Sequence, residues 1–214
     1  MATPPFYNRL AIQLAIQIAI SYQQGATEDN VSRYFAAILA HYFPLAQDWL
    51  VTPDLRTPTK KKPDLTVERM ENNTIQPRIY VELKSMSFTG SFNTVIEQLR
   101  DATLGCFDGV RNAGFLIVVK GREIAFLECH RYLDPGSPGR PTRCPPIIPF
   151  NRLFPDIPTE AGRPSYQGCD SIKFPGTDDG YVLDILQDQQ KVHEVLVWMQ
   201  TNETRCLLPL ADSD

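Results

Sequence analysis

Apolar residues recur at helical spacing early in the chain: Val31, Tyr34, Phe35, Ile38, Leu39 and Tyr42 fall on one stripe. Thr27 precedes them as an N-cap, Glu28 and Asp29 occupy the first turn, where the helix dipole favours acids, and Pro44 closes the segment. The preceding residues, 5–24, are apolar nearly all round apart from a narrow stripe of Gln13, Gln17 and Gln24. That pattern predicts a helix buried in a core or at a subunit contact. After "TPDLRTPTKKKPD", a loop rich in Pro and Thr, the period changes to two. Leu65 and Val67 alternate with Thr66 and Glu68, and Ile79, Val81 and Leu83 alternate with Tyr80, Glu82 and Lys84. Two strands, over 64–70 and 78–84, are expected, joined by the turn "ENNTIQP". A helix over 91–107 carries Val95, Leu99, Ala102, Leu104 and Phe107. "GFLIVV" is a continuous apolar run, as for a central strand buried on both faces, and "REIAFLECH" pairs with it. Ten of the 18 prolines lie between Pro135 and Pro175, which predicts an irregular arm, and a last helix spans 181–202.

This order predicts an α/β protein with a small mixed four-stranded sheet flanked by helices on both faces. Residues 1–134 form the core, 135–180 the arm, and 181–214 a C-terminal helix and tail packed on the same domain. Composition narrows the picture further. The chain is 43% hydrophobic over 214 residues, enough for one packed domain. Its net charge of -4 and pI of about 5.4 exclude a broadly basic nucleic-acid binder. Five cysteines, an odd number with no CxxC pair, argue against a zinc site or a disulfide scaffold and for an intracellular setting, cytoplasmic or nuclear. The run from Leu10 to Ile20 is too short to cross a bilayer, so no membrane partner is expected. Phosphate-loop, dinucleotide and serine-nucleophile signatures are missing from the sequence.

Candidate chemistry centres on Glu82 and Lys84, which alternation puts on one face of a half-buried strand. With the turn centred near Asn73 and Thr74, Asp64 comes opposite Lys84 and Thr66 opposite Glu82. Asp64, Glu82 and Lys84 then converge at one end of the hairpin. Two carboxylates beside a lysine suit a divalent cation, because Mg²⁺ takes one or two carboxylates and leaves its remaining positions to water and phosphate.

"PD" at Pro63–Asp64, followed after 17 residues by "ELK" at Glu82–Leu83–Lys84, resembles the PD-(D/E)XK nuclease superfamily. The order of elements over residues 25–130 matches that resemblance. It implies a restriction-endonuclease-like core and Mg²⁺-dependent hydrolysis of DNA phosphodiesters, with Mn²⁺ able to substitute. Asp64, Glu82 and the Leu83 carbonyl would bind the metal, and Lys84 would orient or deprotonate the attacking water. Gln98, early in the following helix, and Glu28, on the preceding one, would complete the site. Lys60, Lys61 and Lys62 would contact substrate phosphates, and a homodimer is possible. Two positions depart from the pattern: Glu28 sits near the start of its helix, and Ala102 or Thr103 stands where a tyrosine often follows the glutamine. A nuclease-fold interaction module without catalysis, binding protein or nucleic acid, is the alternative.

Overall fold

In the computed structural model, the described residues are Gln13, Gln17 and segments 27–53, 63–103, 113–130, 147–149, 159–160, 163–164 and 182–201. The helix expected over 5–24 lies outside them except for Gln13 and Gln17, which are helical and exposed. The lysine run at 60–62 and most of the arm also lie outside.

Helix α1 (Glu28–Tyr42) buries the expected stripe. Thr27 takes the N-cap position in extended backbone (φ -62, ψ 156), but its side chain makes no capping bond. At the other end, Pro44 disfavours helical geometry in the residue before it, and Phe43 leaves the helix at φ -120, ψ 70. A short 3-10 turn (Leu45–Gln47) then leads into strand β1 (Trp49–Pro53). Trp49 anchors β1 by packing edge-on against Phe43 at 4.9 Å.

Strands β2 (Leu65–Glu71) and β3 (Thr74–Lys84) form the expected hairpin with a tighter turn than the sequence suggested. Asn72 and Asn73 alone make the turn, both at positive φ (48 and 60), a geometry that matches strand twist and that asparagine tolerates. Ile75, Gln76 and Pro77 therefore belong to β3. The register also shifts between Val67 and Glu68, where Arg78 is an extra residue on β3. Beyond that bulge the pairs are Val67↔Ile79, Thr66↔Tyr80 and Leu65↔Val81. Asp64, one step further, comes opposite Glu82, so the expected pairings Asp64–Lys84 and Thr66–Glu82 are each displaced by two residues.

After β3, helix α2 (Phe92–Thr103) crosses over to β4 (Ala113–Lys120), which pairs parallel with β3. β5 (Glu123–His130) returns antiparallel through Gly121, whose φ of +60 suits the first position of a tight hairpin. The sheet is larger than the four strands expected. Its order is β1-β2-β3-β4-β5-β6, with β6 (Ile147–Pro149) from the arm and β9 (Leu183–Asp184) also paired to β5. Two short strands, β7 (Thr159–Glu160) and β8 (Arg163–Pro164), pair separately.

The helix expected over 181–202 is shorter: α3 runs Gln189–Thr201. Before it, the Asp184 carboxylate accepts the N–H groups of Leu186 and Gln187, and Asp188 accepts that of Asp184. These side chains offer the backbone an alternative to helix, so the segment turns first.

Helices cover both faces. Against α1 and α3 pack Ile79, Val81 and Leu83 of β3, Phe115, Ile117 and Val119 of β4, and Ile124 and Phe126 of β5. Against α2 pack Tyr80, Leu116, Val118, Ala125 and Leu127. The continuous apolar run of β4 is thus explained, since both of its faces are buried. Tyr42 and His193 join α1 to α3 through a 2.7 Å hydrogen bond. Among the described residues, no helix is long and apolar enough to cross a membrane.

Candidate functional site

Glu82 and Lys84 stand at the carboxyl end of β3, beside the parallel end of β4. In open α/β sheets this edge is where ligands collect, because the crossover loop and the helix start leave a crevice there. Lys84 Nζ donates to Glu82 Oε1 at 2.7 Å. Across the hairpin, Leu83 N–H donates to Asp64 Oδ2 at 2.7 Å. The Asp64 carboxylate thereby takes the place of a ladder carbonyl just where β2 begins, and it is fixed beside Glu82. Glu28, in the first turn of α1, brings Oε2 to 3.9 Å from Lys84 Nζ. Its position near the helix start is what lets it reach the site, while its side chain stays 53% exposed.

Electrostatics bind these four residues into one unit. Burial, reinforced by the charge of Asp64, raises the Glu82 pKa to about 7 despite the opposing bond and charge of Lys84; Glu28 raises it further. Burial alone would push the Lys84 amine down, but the bond to Glu82 and the charges of Glu82, Asp64 and Glu28 outweigh it and raise its pKa. Lys84 is therefore an ammonium at neutral pH.

Five of the residues read from the sequence come together here: Glu28, Asp64, Glu82, Leu83 and Lys84. Gln98 does not join them; it is exposed on α2 and makes no hydrogen bond with the cluster. The expected contacts of Lys60, Lys61 and Lys62 lie outside the described residues.

Two neighbours were not picked out by sequence reasoning. Thr66, fully buried, lies on the same face as Asp64 and opposite Tyr80, and its hydroxyl has no hydrogen-bond partner. Lys120 is the in-register partner of Lys84 on β4. Its only sequence signal was its position at the end of "GFLIVVK", and that means nothing until the strands are known to be parallel.

Among the described residues, no group of three or more His, Cys, Asp and Glu side chains forms a metal-ligand set. The Asp64–Glu82 pair offers hard oxygen donors, which fit Mg²⁺ because that ion needs few protein ligands. Burial is the main cause of the raised proton affinity of Glu82, and the charge of Asp64, which adds to it, also attracts a cation to the pair. No protein-family profile, curated protein or solved structure matches this chain. The class defined by fold and site is an α/β protein with a mixed sheet, covered on both faces, carrying an acidic cluster with one embedded lysine at the carboxyl ends of two parallel strands.

Proposed function

We propose that this chain is a Mg²⁺-dependent deoxyribonuclease of the PD-(D/E)XK type, with a restriction-endonuclease-like core built on β2, β3, α2 and β4. One observation carries the reading: the Asp64 carboxylate, bonded to the Leu83 N–H, stands beside the bonded pair Glu82–Lys84 on a strand hairpin flanked by helices. Three groups from two separated motifs meet where a phosphodiester and a cation can be held together.

Asp64 and Glu82, with the Leu83 carbonyl, would hold Mg²⁺ or Mn²⁺, which supplies water activation and screening of phosphate charge. Lys84, kept protonated by its neighbours, stabilises the charge that grows on the phosphate and orients the incoming water; its raised pKa disfavours proton removal by this residue. The water oxygen bonds to phosphorus and gives up its proton to solvent, the bond from phosphorus to O3' breaks, and O3' takes up a proton from solvent. The products are a 5'-phosphate and a 3'-hydroxyl. Glu28 reaches the cluster from α1 and helps hold Lys84. DNA is the substrate, and a homodimer would allow both strands to be cut.

Cleavage of plasmid and single-stranded DNA with Mg²⁺ or Mn²⁺ tests this, comparing the wild type with Asp64→Ala and Lys84→Ala. Both substitutions are expected to abolish cutting, and cleavage that survives both overturns the assignment. A second reading, a nuclease-fold module that binds protein or nucleic acid without cutting, draws on the closed Glu82–Lys84 pair and the net charge of -4. It predicts binding with no cleavage under either metal.

A further inference from the structure

Lys84 and Lys120 are paired neighbours on β3 and β4. Neighbouring strands lie about 4.8 Å apart, and residues in register on them share a face. Like charges placed this way repel, so the arrangement needs compensation. Lys84 has it, in Glu82 at 2.7 Å and Glu28 at 3.9 Å. Lys120 does not: among the described residues it makes no ion pair. Glu123 faces it across the hairpin but is exposed and forms no bridge with it. Lys120 is also half-buried, so water does not fully replace a partner.

The backbone around Lys120 is held in place. Gly121 N–H donates to the Lys84 carbonyl at 2.9 Å, tying the β4–β5 turn to the end of β3. The buried Tyr34 hydroxyl donates to the Gly121 carbonyl from α1. The Lys120 backbone is therefore tied to the end of β3, at the carboxyl ends of the two parallel strands. Lys84 shares its charge with the carboxylates of Glu82 and Glu28, so a second cation beside it adds positive charge for a strand that carries more than one phosphate.

Resting on the nuclease reading above, we propose that Lys120 is a substrate-binding residue that contacts a DNA phosphate next to the one being cut. Its role is to hold the strand, and Lys84 acts at the reacting phosphate. The two lysines stay side by side because each meets a different anion.

The test uses the full chain as wild type, Lys120→Gln and Lys120→Arg, with Lys191→Gln as a control on the exposed face of α3. Binding of a duplex oligonucleotide, with Ca²⁺ replacing Mg²⁺, is followed by fluorescence anisotropy across a salt series. Initial cleavage rates with Mg²⁺ give KM and kcat, and circular dichroism checks folding. Loss of one phosphate contact should lower the slope of log K against log salt by about 0.9. K120Q is expected to show that lower slope and a raised KM with kcat nearly unchanged. K120R should restore both, and K191Q should match the wild type. If K120Q cuts and binds like wild type, the Lys120 proposal falls and the nuclease reading stands. If K120Q is misfolded, Lys120→Met, which keeps the apolar stem and removes the charge, is read instead: a lower slope with a raised KM upholds the proposal, and wild-type slope and KM overturn it. A wild type that neither binds nor cuts DNA overturns both. Binding without cutting, with the slope lost in K120Q, upholds the Lys120 contact and overturns the catalytic reading.

Discussion

Replacing Glu82 by glutamine removes a titrating group from the centre of the cluster while keeping its shape. In the folded chain Glu82 titrates at about 7, against an ordinary value of 4.5. Below pH 4.5 it is protonated in both folded and unfolded chains. Between 4.5 and 7 the unfolded chain releases its proton first, so the folded state holds more protons and loses stability as pH rises. Above 7 both states are ionised and the dependence ends. The rise from 4.5 to about 7 corresponds to roughly 3 kcal/mol, at about 1.4 kcal/mol per pH unit. The side chain is only 10% exposed, so solvent screening reduces this little. Lys84 stays protonated throughout this window, so its attraction for the ionised Glu82 is already contained in the pKa of about 7 and adds no separate pH dependence. Urea unfolding followed by circular dichroism from pH 4 to pH 8 measures the effect. The stability of wild type relative to E82Q should fall by about 3 kcal/mol across the window, leaving E82Q favoured at the alkaline end relative to its acid-end standing. Parallel curves for the two chains would refute the reasoning, because they would mean that Glu82 is not held in a buried, carboxylate-crowded place.

Mg²⁺ should raise the unfolding temperature of the wild type at pH 8, with about 2.7 kcal/mol of stabilisation at a hundredfold excess over Kd; a thermal-shift series in which Asp64→Asn responds as strongly as wild type would remove Asp64 from the metal set. Gly121→Ala should destabilise by about 1–2 kcal/mol from the positive φ of +60 alone. The added Cβ also meets the Met86 side chain, so equilibrium unfolding should show at least that loss, and a neutral result would mean that the turn relaxes freely.

The local elements were legible because each depends on near neighbours. The stripe of α1, the alternation of β2 and β3 and the apolar run of β4 follow from the two side-chain periods, 3.6 and 2, which are properties of short segments. The residue types of the cluster were legible for the same reason, since Glu82 and Lys84 lie in one predictable strand and Asp64 immediately precedes another. The edges of the sheet were not. β1, β6 and β9 are short, and they become strands by pairing with β2 and β5, a long-range hydrogen-bonding decision with little trace in five or fewer residues.

Register was the decisive matter left to tertiary structure. A two-residue turn at Asn72–Asn73 without a bulge would have set Asp64 opposite Val81, on the core face with α1 and α3. The extra residue at Arg78, buried and ion-paired with Glu71, moves the pairing by one and returns Asp64 to the face of Glu82. Side chains alternate with a period of two, so one residue is the difference between a carboxylate in the site and a carboxylate in the core. Sequence by itself determined which groups were available and on which kinds of element. Packing decided that Glu28 reaches Lys84, that Gln98 stays outside, and that Lys120 stands beside Lys84, because only the folded sheet places distant segments against one another.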